Sequence, residues 1–239
     1  MGQNSNAPAF VLGFFILAGL ATLGYLLGNA AIEFKEYERT VTVKGLSERE
    51  YEADIVIWPL QFTAASNDLG EMYRSIDDST RKIREFLVEA GVGSDEISVS
   101  TPAITDKSAQ QYGNQGQAEF RYTATQTVTV YSQNIGLARQ LMQRISDLGK
   151  QGIVFSGGNY QSQTEYLFTR LNEVKPEMIE EATRQAREVA EKFAADSKSR
   201  LGKIKAASQG QFTISDRDKN NPHIKKIRVV STVAYYLSD

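Results

Sequence analysis

A long uncharged, apolar stretch close to the N-terminus limits what this chain of 239 residues can fold into. It runs from Pro8 to Ile32, and the first charged side chain is Glu33. As a helix, residues 9–31 would be roughly 34 Å long at about 1.5 Å per residue, which exceeds the ~30 Å of a bilayer core. A helix also satisfies its own backbone hydrogen bonds in lipid. We therefore predict a transmembrane anchor over residues 1–32, with the lipid bilayer as its partner, and one globular domain over residues 33–239.

A cleaved signal peptide is the alternative interpretation of the same segment. Its small residues at 28–30, Gly-Asn-Ala, resemble a small-x-small cleavage site. However, the apolar stretch exceeds the usual 7–15 residues, and no Lys or Arg precedes it. We therefore favour a retained anchor. Only Lys35 and Arg39 flank the span closely, and two cations are too few to set its orientation by the positive-inside rule.

Composition excludes several classes of function. The formal net charge is −2, so there is no general basic character for binding nucleic acid, and we expect no nucleic-acid partner. Cysteine is absent, which excludes disulfides, thiolate catalysis and cysteine-ligated zinc. About 205 residues follow the apolar stretch, enough for a substantial hydrophobic core.

The periodicity of apolar residues predicts an α+β fold. Alternating β-branched residues predict strands that often follow one another directly, for example at residues 39–46 and 54–64. Apolar residues at helical spacing predict helices at 69–90, 134–148 and 176–201, each ending near a glycine. We expect a mixed, largely antiparallel sheet with three helices packed on it, in two β-α-β-like halves, after the transmembrane helix. Pro59 is expected at a strand edge or a bulge.

Several segments between Thr40 and Ile214 resemble the SIMPL-domain family of bacterial periplasmic proteins, which includes immunogenic periplasmic antigens. The segments that carry the resemblance are TVTVKG, FLVEAGVGSDEISVSTPAI, FRYTATQTVTVYS, GIVFSGGNY and EATRQAREVAEKFAADSKSRLGKI. The resemblance implies a fold and an extracytoplasmic location but no catalytic residues. Together with the apolar span, it predicts a single-pass protein of the bacterial inner membrane whose soluble domain lies in the periplasm.

The sequence offers few groups for chemistry. His223 is the only histidine and lies in a polar segment, which we interpret as an exposed turn, so two histidines cannot bind a metal within one chain. Asp216, Asp218 and Asn220 begin like a calcium loop, but the expected Gly at the sixth position is Asn and the Glu at the twelfth is Ile. We therefore predict no catalytic, cofactor-binding or metal-binding residues, and no cofactor.

Two glycine motifs suggest interactions of other kinds. Gly24 and Gly28 form a G-x-x-x-G pattern, which lets two transmembrane helices approach closely. Gly157 and Gly158 suggest a bulge or a close backbone approach, and with Tyr160 they are the candidates for lining a groove.

The leading hypothesis is a non-catalytic, self-associating domain with an envelope or stress-related structural role. A homo-oligomer is expected because unpaired strand edges attract another chain. The alternatives are a module that binds a small ligand or a protein partner near Gly157 and Gly158, and an unrecognised hydrolase that uses acidic residues. The sequence identifies no other protein partner.

Overall fold

A computed structural model describes residues 7–36, 39–109, 119–156 and 163–238. Its first element is helix α1, Ala7–Glu36. Within α1, Phe10–Ile32 has a mean hydropathy of 2.2 and none of it is buried inside the protein. This is the one described helix that is long and apolar enough to cross a membrane, and by its position it suits an anchor or a signal sequence equally.

In the described residues, ten strands and four further α-helices follow α1. The strands are β1 (Thr40–Glu52), β2 (Ile55–Ser66), β3 (Ile97–Val99), β4 (Ala103–Asp106), β5 (Tyr122–Ser132), β6 (Val154–Phe155), β7 (Glu165–Leu167), β8 (Arg200–Gln209), β9 (Thr213–Asp216) and β10 (Ile224–Ser238). The helices are α2 (Leu69–Glu89), α3 (Ile135–Gln143), α4 (Ser146–Lys150) and α5 (Leu171–Asp196).

Strands β2 and β5 form the centre of a six-stranded antiparallel sheet. They pair from Val56↔Ser132 to Ser66↔Tyr122, in the sheet order β3-β5-β2-β6, with β4 added to β5 and β7 added to β2. Apolar side chains of this sheet, among them Trp58 and Phe62, pack with the buried face of α2 in one hydrophobic core. The buried residues of α2 are Met72, Ile76, Ile83 and Leu87, the 3.6-residue periodicity of an amphipathic helix.

The second sheet has the order β1-β10-β8, with β9 also paired to β10. Small residues of helix α5 pack against this second sheet. Ala186 and Ala190 form a second hydrophobic core with Val43, Val233 and Tyr235. These small side chains let the helix and the sheet approach closely.

The chain divides into two compact units. The first comprises Met1–Glu48, Pro176–Thr213 and Arg228–Asp239, and the second comprises Arg49–Lys175 and Ile214–Ile227.

The predicted α+β class, with an apolar N-terminal helix and antiparallel strands, is confirmed. Of the three residues that the sequence offers as a cap, at 66–68, Asp68 is the one before helix α2, and its Oδ1 accepts a hydrogen bond from the Glu71 N–H at 2.8 Å. The helix ends before Gly91, which has a φ of 100°. In detail, the strands form two sheets rather than one. The predicted second helix is divided into α3 and α4, so four helices follow α1 instead of three.

Two expectations about prolines need correction. Helix α5 begins at Leu171 rather than at Pro176, so the proline lies inside the helix, where it lacks the N–H that would bond to the residue four positions earlier. Pro59 lies in a central strand, not at an edge. On the side of β2 away from β5, however, pairing with β7 stops at Ile57 and pairing with β6 starts at Phe62, so the described ladder on that side is interrupted at the proline.

Candidate functional site

The residues predicted to mediate interactions lie in different parts of the chain. Gly24 and Gly28 lie one turn apart on α1, and a Cβ added to either would meet no atom within 4 Å. The groove candidates Gly157, Gly158 and Tyr160 lie outside the described residues.

A polar cleft lies in the second unit, beside the turn that joins β1 to β2. Its volume is about 390 Å³, and it is lined by Glu52, Ala53, Asp54, Ile55, Gln133, Thr169 and Arg170. Backbone hydrogen bonds hold the turn in place. The Ala53 N–H donates to the His223 carbonyl and the Asp54 N–H donates to the Leu167 carbonyl, both at 2.8 Å.

The carboxylate of Asp54 organises one wall of this cleft. It accepts hydrogen bonds from the Thr169 backbone N–H at 2.9 Å and from the Thr169 hydroxyl at 2.8 Å, and it lies 3.4 Å from Nε of Arg170. Partial burial acts to raise the pKa of Asp54, but the hydrogen bonds from Thr169 and the charge of Arg170 outweigh it and hold the pKa below its ordinary value. Asp54 is therefore an ionised acceptor that is hydrogen-bonded to Thr169.

Arg170 is held from two sides. Nε faces Asp54, and the guanidinium carbon lies 5.6 Å from the centre of the Phe168 ring. Phe168 is itself buried and packs against Tyr51, with ring centres 5.5 Å apart. The ion pair and the ring contact restrain the Arg170 side chain, and 52% of it stays exposed to solvent.

His223 lies in a turn as predicted, but it is buried, so its interpretation as an exposed residue was wrong. Only 9% of the His223 surface is accessible to solvent. Its ring packs edge-on against the Tyr166 ring, with ring centres 6.0 Å apart. The residues before His223 are polar, but its backbone carbonyl accepts a hydrogen bond from the Ala53 N–H of the β1–β2 turn. Burial, followed by the positive charge of Arg139, lowers the pKa of His223 below its ordinary value and favours the neutral ring.

The calcium-like segment is organised by hydrogen bonds and an ion pair within the protein. Asp216 pairs with Lys225, whose side chain is largely buried. Oδ1 of Asp218 accepts the backbone N–H groups of Asn220 and Asn221 at 2.8 and 3.0 Å. Hydrogen bonds, first from the Asn221 side chain, lower the pKa of Asp218 to about 2. Across the described parts of the chain, no group of three or more acidic or histidine side chains is placed to bind a metal.

Strand β8, in the first unit, is unusually exposed. It pairs with β10 from Ser231↔Gln209 to Ser238↔Arg200 and stands at the end of its sheet, with no further strand beside it in the described residues. Every residue from 203 to 209 is exposed. Such an edge offers unpaired backbone groups to another chain.

A comparison with protein families matches residues 41–231 to SIMPL, described as a protein of unknown function (DUF541). The chain belongs to the SIMPL family. The match runs from β1 into β10, so both the cleft and strand β8 lie within the SIMPL domain. A comparison with curated proteins gives no match.

The family description confirms the resemblance found in the sequence and assigns no residue a role. Sequence reasoning on the SIMPL domain missed the cleft because Asp54 and Thr169 are 115 residues apart and neither belongs to a local motif. The one available signal was a carboxylate directly before the buried strand β2, which is too common to identify a site.

Proposed function

We propose that this protein is a non-catalytic, single-pass protein of the bacterial inner membrane whose SIMPL domain lies in the periplasm and self-associates. Its role would be structural, in the envelope or in the response to stress. The observation that carries the proposal is the unpaired, exposed edge of β8, in a chain that also has a helix suited to a membrane.

The location is supported by α1 and by the resemblance to periplasmic proteins. A retained hydrophobic anchor should keep the protein in the membrane fraction at high salt, because salt screens charges but does not weaken apolar burial. A reporter that works only outside the cytoplasm should be active when fused after Asp239. Activity of a cytoplasm-only reporter at that position, or recovery of a soluble chain starting at Ala31, would contradict the proposal.

The edge of β8 supports a limited, closed assembly. Lys203 and Lys205 place charges on the strand, and the register shifts between Ala206 and Ile204 opposite β10, which marks a bulge. Charges and bulges discourage open-ended pairing. Beyond the bulge, residues 206–209 are uncharged, exposed and paired with β10 in regular register. Another copy of the chain would therefore add its strand there.

Residue 207 permits a specific test of this edge. The Gly210 N–H donates to the Val230 carbonyl of β10 at 2.8 Å, and successive N–H groups of a strand point to alternate sides. The Ala207 N–H therefore points to the unpaired side. Ala207→Pro removes that donor without removing a hydrogen bond to β10, which is the position where an edge strand tolerates proline.

The measurement is the mass of the full chain in detergent. We expect a homo-oligomer for the natural chain, a smaller particle for Ala207→Pro, and an unchanged particle for the control Ala207→Val, which keeps the N–H. Circular dichroism should show the same fold in all three. If the natural chain is monomeric, or if Ala207→Pro assembles as well as Ala207→Val, the edge does not drive assembly.

The anchor should contribute less to assembly than the domain. Strand pairing together with side-chain burial can cover upward of about 1,000 Å² per contact, whereas a single G-x-x-x-G crossing is small. Replacing Gly24 and Gly28 by Ile should therefore leave the particle mass nearly unchanged. Complete dissociation of this double variant would show that the helix drives assembly.

The non-catalytic role is supported by the state of the only histidine. His223 is buried and its pKa is lowered, so it does not present an exposed acid–base group. A turnover reaction of the purified chain that disappears when one of its carboxylates is substituted would overturn this part of the proposal.

A further inference from the structure

The cleft beside the β1–β2 turn contains a positively charged group that is already in place for a ligand. Nε of Arg170 lies 3.4 Å from the Asp54 carboxylate, and the guanidinium carbon lies 5.6 Å from the centre of the Phe168 ring. Among the residues that the structure describes, none hydrogen-bonds to the two terminal nitrogens of Arg170. These nitrogens form the planar fork that matches a carboxylate, and a side chain that is already held loses little entropy on binding.

A negative group lines the same cleft. Glu52 is the last residue of β1 and is exposed, and its carboxylate has no hydrogen-bond partner in the described part of the chain. Gln133, directly after β5, adds an amide that can donate and accept. Asp54 is different, because its oxygens are already occupied by Thr169 and Arg170. The groups left for a ligand are therefore one cation, one anion and one amide.

This combination selects a class of ligand. A phosphate would meet a single arginine and the repulsion of Glu52, so a dianion fits poorly. A purely apolar ligand would leave the charged groups unpaired. A volume of about 390 Å³ is at the small end of the range for ligand sites. Ile55 and Ala53 provide a short apolar surface beside the polar groups.

We propose that this cleft binds a small zwitterion that carries a carboxylate and an ammonium on the same carbon, the chemistry of a free α-amino acid. The carboxylate receives the terminal N–H groups of Arg170 in a bidentate pair. The ammonium donates to the carboxylate of Glu52. The amide of Gln133 forms a further hydrogen bond with the carboxylate or the ammonium of the ligand. This binding does not depend on self-association through β8.

Three probes of nearly equal size separate these contributions. L-alanine carries both charges, propionate carries only the carboxylate, and propylamine carries only the ammonium. Saturation-transfer NMR on the full chain in detergent reports the binding of each at millimolar concentration. We expect L-alanine to bind more tightly than propionate, and propylamine to bind least, because the preorganised group is the cation.

Variants of the cleft then identify the groups. Arg170→Gln should weaken L-alanine binding about tenfold or more, since a bidentate pair between charged groups is lost. Arg170→Lys keeps the charge but not the fork, so we expect an intermediate loss. Glu52→Gln should weaken L-alanine until it binds no better than propionate. Arg81→Gln, at an exposed arginine of α2 that is also paired with carboxylates, is the matched control and should change nothing.

Circular dichroism checks that each variant folds. If Arg170→Gln does not fold, Arg170→Lys still tests the role of the guanidinium. The proposal is wrong if L-alanine shows no saturation transfer, if the three probes bind equally, or if Arg81→Gln weakens L-alanine as much as the Arg170 variants do. Every measurement in this test is of ligand binding. A monomeric chain would therefore contradict the proposed self-association but would not affect the test of amino-acid binding.

Discussion

The contact between Gly45 of β1 and helix α5 gives the sharpest prediction for stability. A Cβ built on Gly45 would lie 1.8 Å from the Ala182 carbonyl oxygen and 2.5 Å from the Ala186 nitrogen. Both of these atoms belong to the backbone, so no side chain can rotate away. A methyl group at position 45 therefore requires the strand and the helix to separate.

The size of the effect follows from these distances. Carbon and oxygen in contact normally lie near 3.3 Å, so the backbones must move apart by on the order of 1.5 Å. Inserting extra volume into a packed core costs about 1–3 kcal/mol, occasionally more. Separation would also weaken packing around Ala182 and Ala186, which are fully buried. We expect Gly45→Ala to reduce the free energy of unfolding by about 3 kcal/mol, at the top of that range.

A loss of that size corresponds to a drop in Tm of about 6–12 °C for a domain of this length. Thermal unfolding of the full chain by circular dichroism measures the shift, and hydrogen exchange should show faster opening of α5. The control is Gly149→Ala in α4, where an added Cβ meets nothing within 4 Å. The control should be neutral or slightly stabilising, because alanine restricts the unfolded chain. If Gly45→Ala changes the free energy by less than about 1 kcal/mol, the close approach of α5 is wrong.

Three further predictions use urea unfolding. Because the folded protein lowers the pKa of His223, the unfolded chain binds more protons as the pH falls below about 6.5, so stability present above that pH should be lost on acidification. His223→Gln should lose less stability than the natural chain between pH 7.5 and 5.5, and equal losses would refute this. Asp68→Ala removes the cap on the Glu71 N–H and should cost about 1 kcal/mol, whereas Asp68→Asn should cost little. Thr80→Val removes the 2.8 Å hydrogen bond to the buried Gln126 and should cost about 1–3 kcal/mol, more than Thr80→Ser, and equal costs for the two would show that the hydroxyl is unimportant.

The local parts of the fold were predictable because their signals lie within a few residues. The cap at Asp68, the left-handed Gly91 and the apolar spacing between them define α2 almost completely. The long uncharged segment likewise defines α1. Family membership could also be predicted, since the junctions between helices and strands carry it.

The errors arose where distant residues decide the outcome. The residues directly before His223 are polar, but its carbonyl accepts the N–H of Ala53, 170 positions away by their numbers. Similarly, the division of the strands into two sheets depends on pairing partners rather than on strand propensity. Propensity indicates that a strand forms and does not specify its neighbour.

The same distinction applies to the two candidate surfaces, which are the edge of strand β8 and the cleft beside the β1–β2 turn. The exposed edge of β8 depends on which strands pair with β10, so residues 200–209 alone do not identify it as an edge. The cleft is invisible in the sequence, because Asp54 becomes informative only when Thr169 and Arg170 meet it. The Asp54 carboxylate accepts the hydrogen bonds of Thr169, and its ion pair with Nε restrains the guanidinium beside it. The chemistry of the cleft therefore depends on Arg170 and Glu52, and substituting Asp54 would weaken binding only by releasing Arg170 from its position.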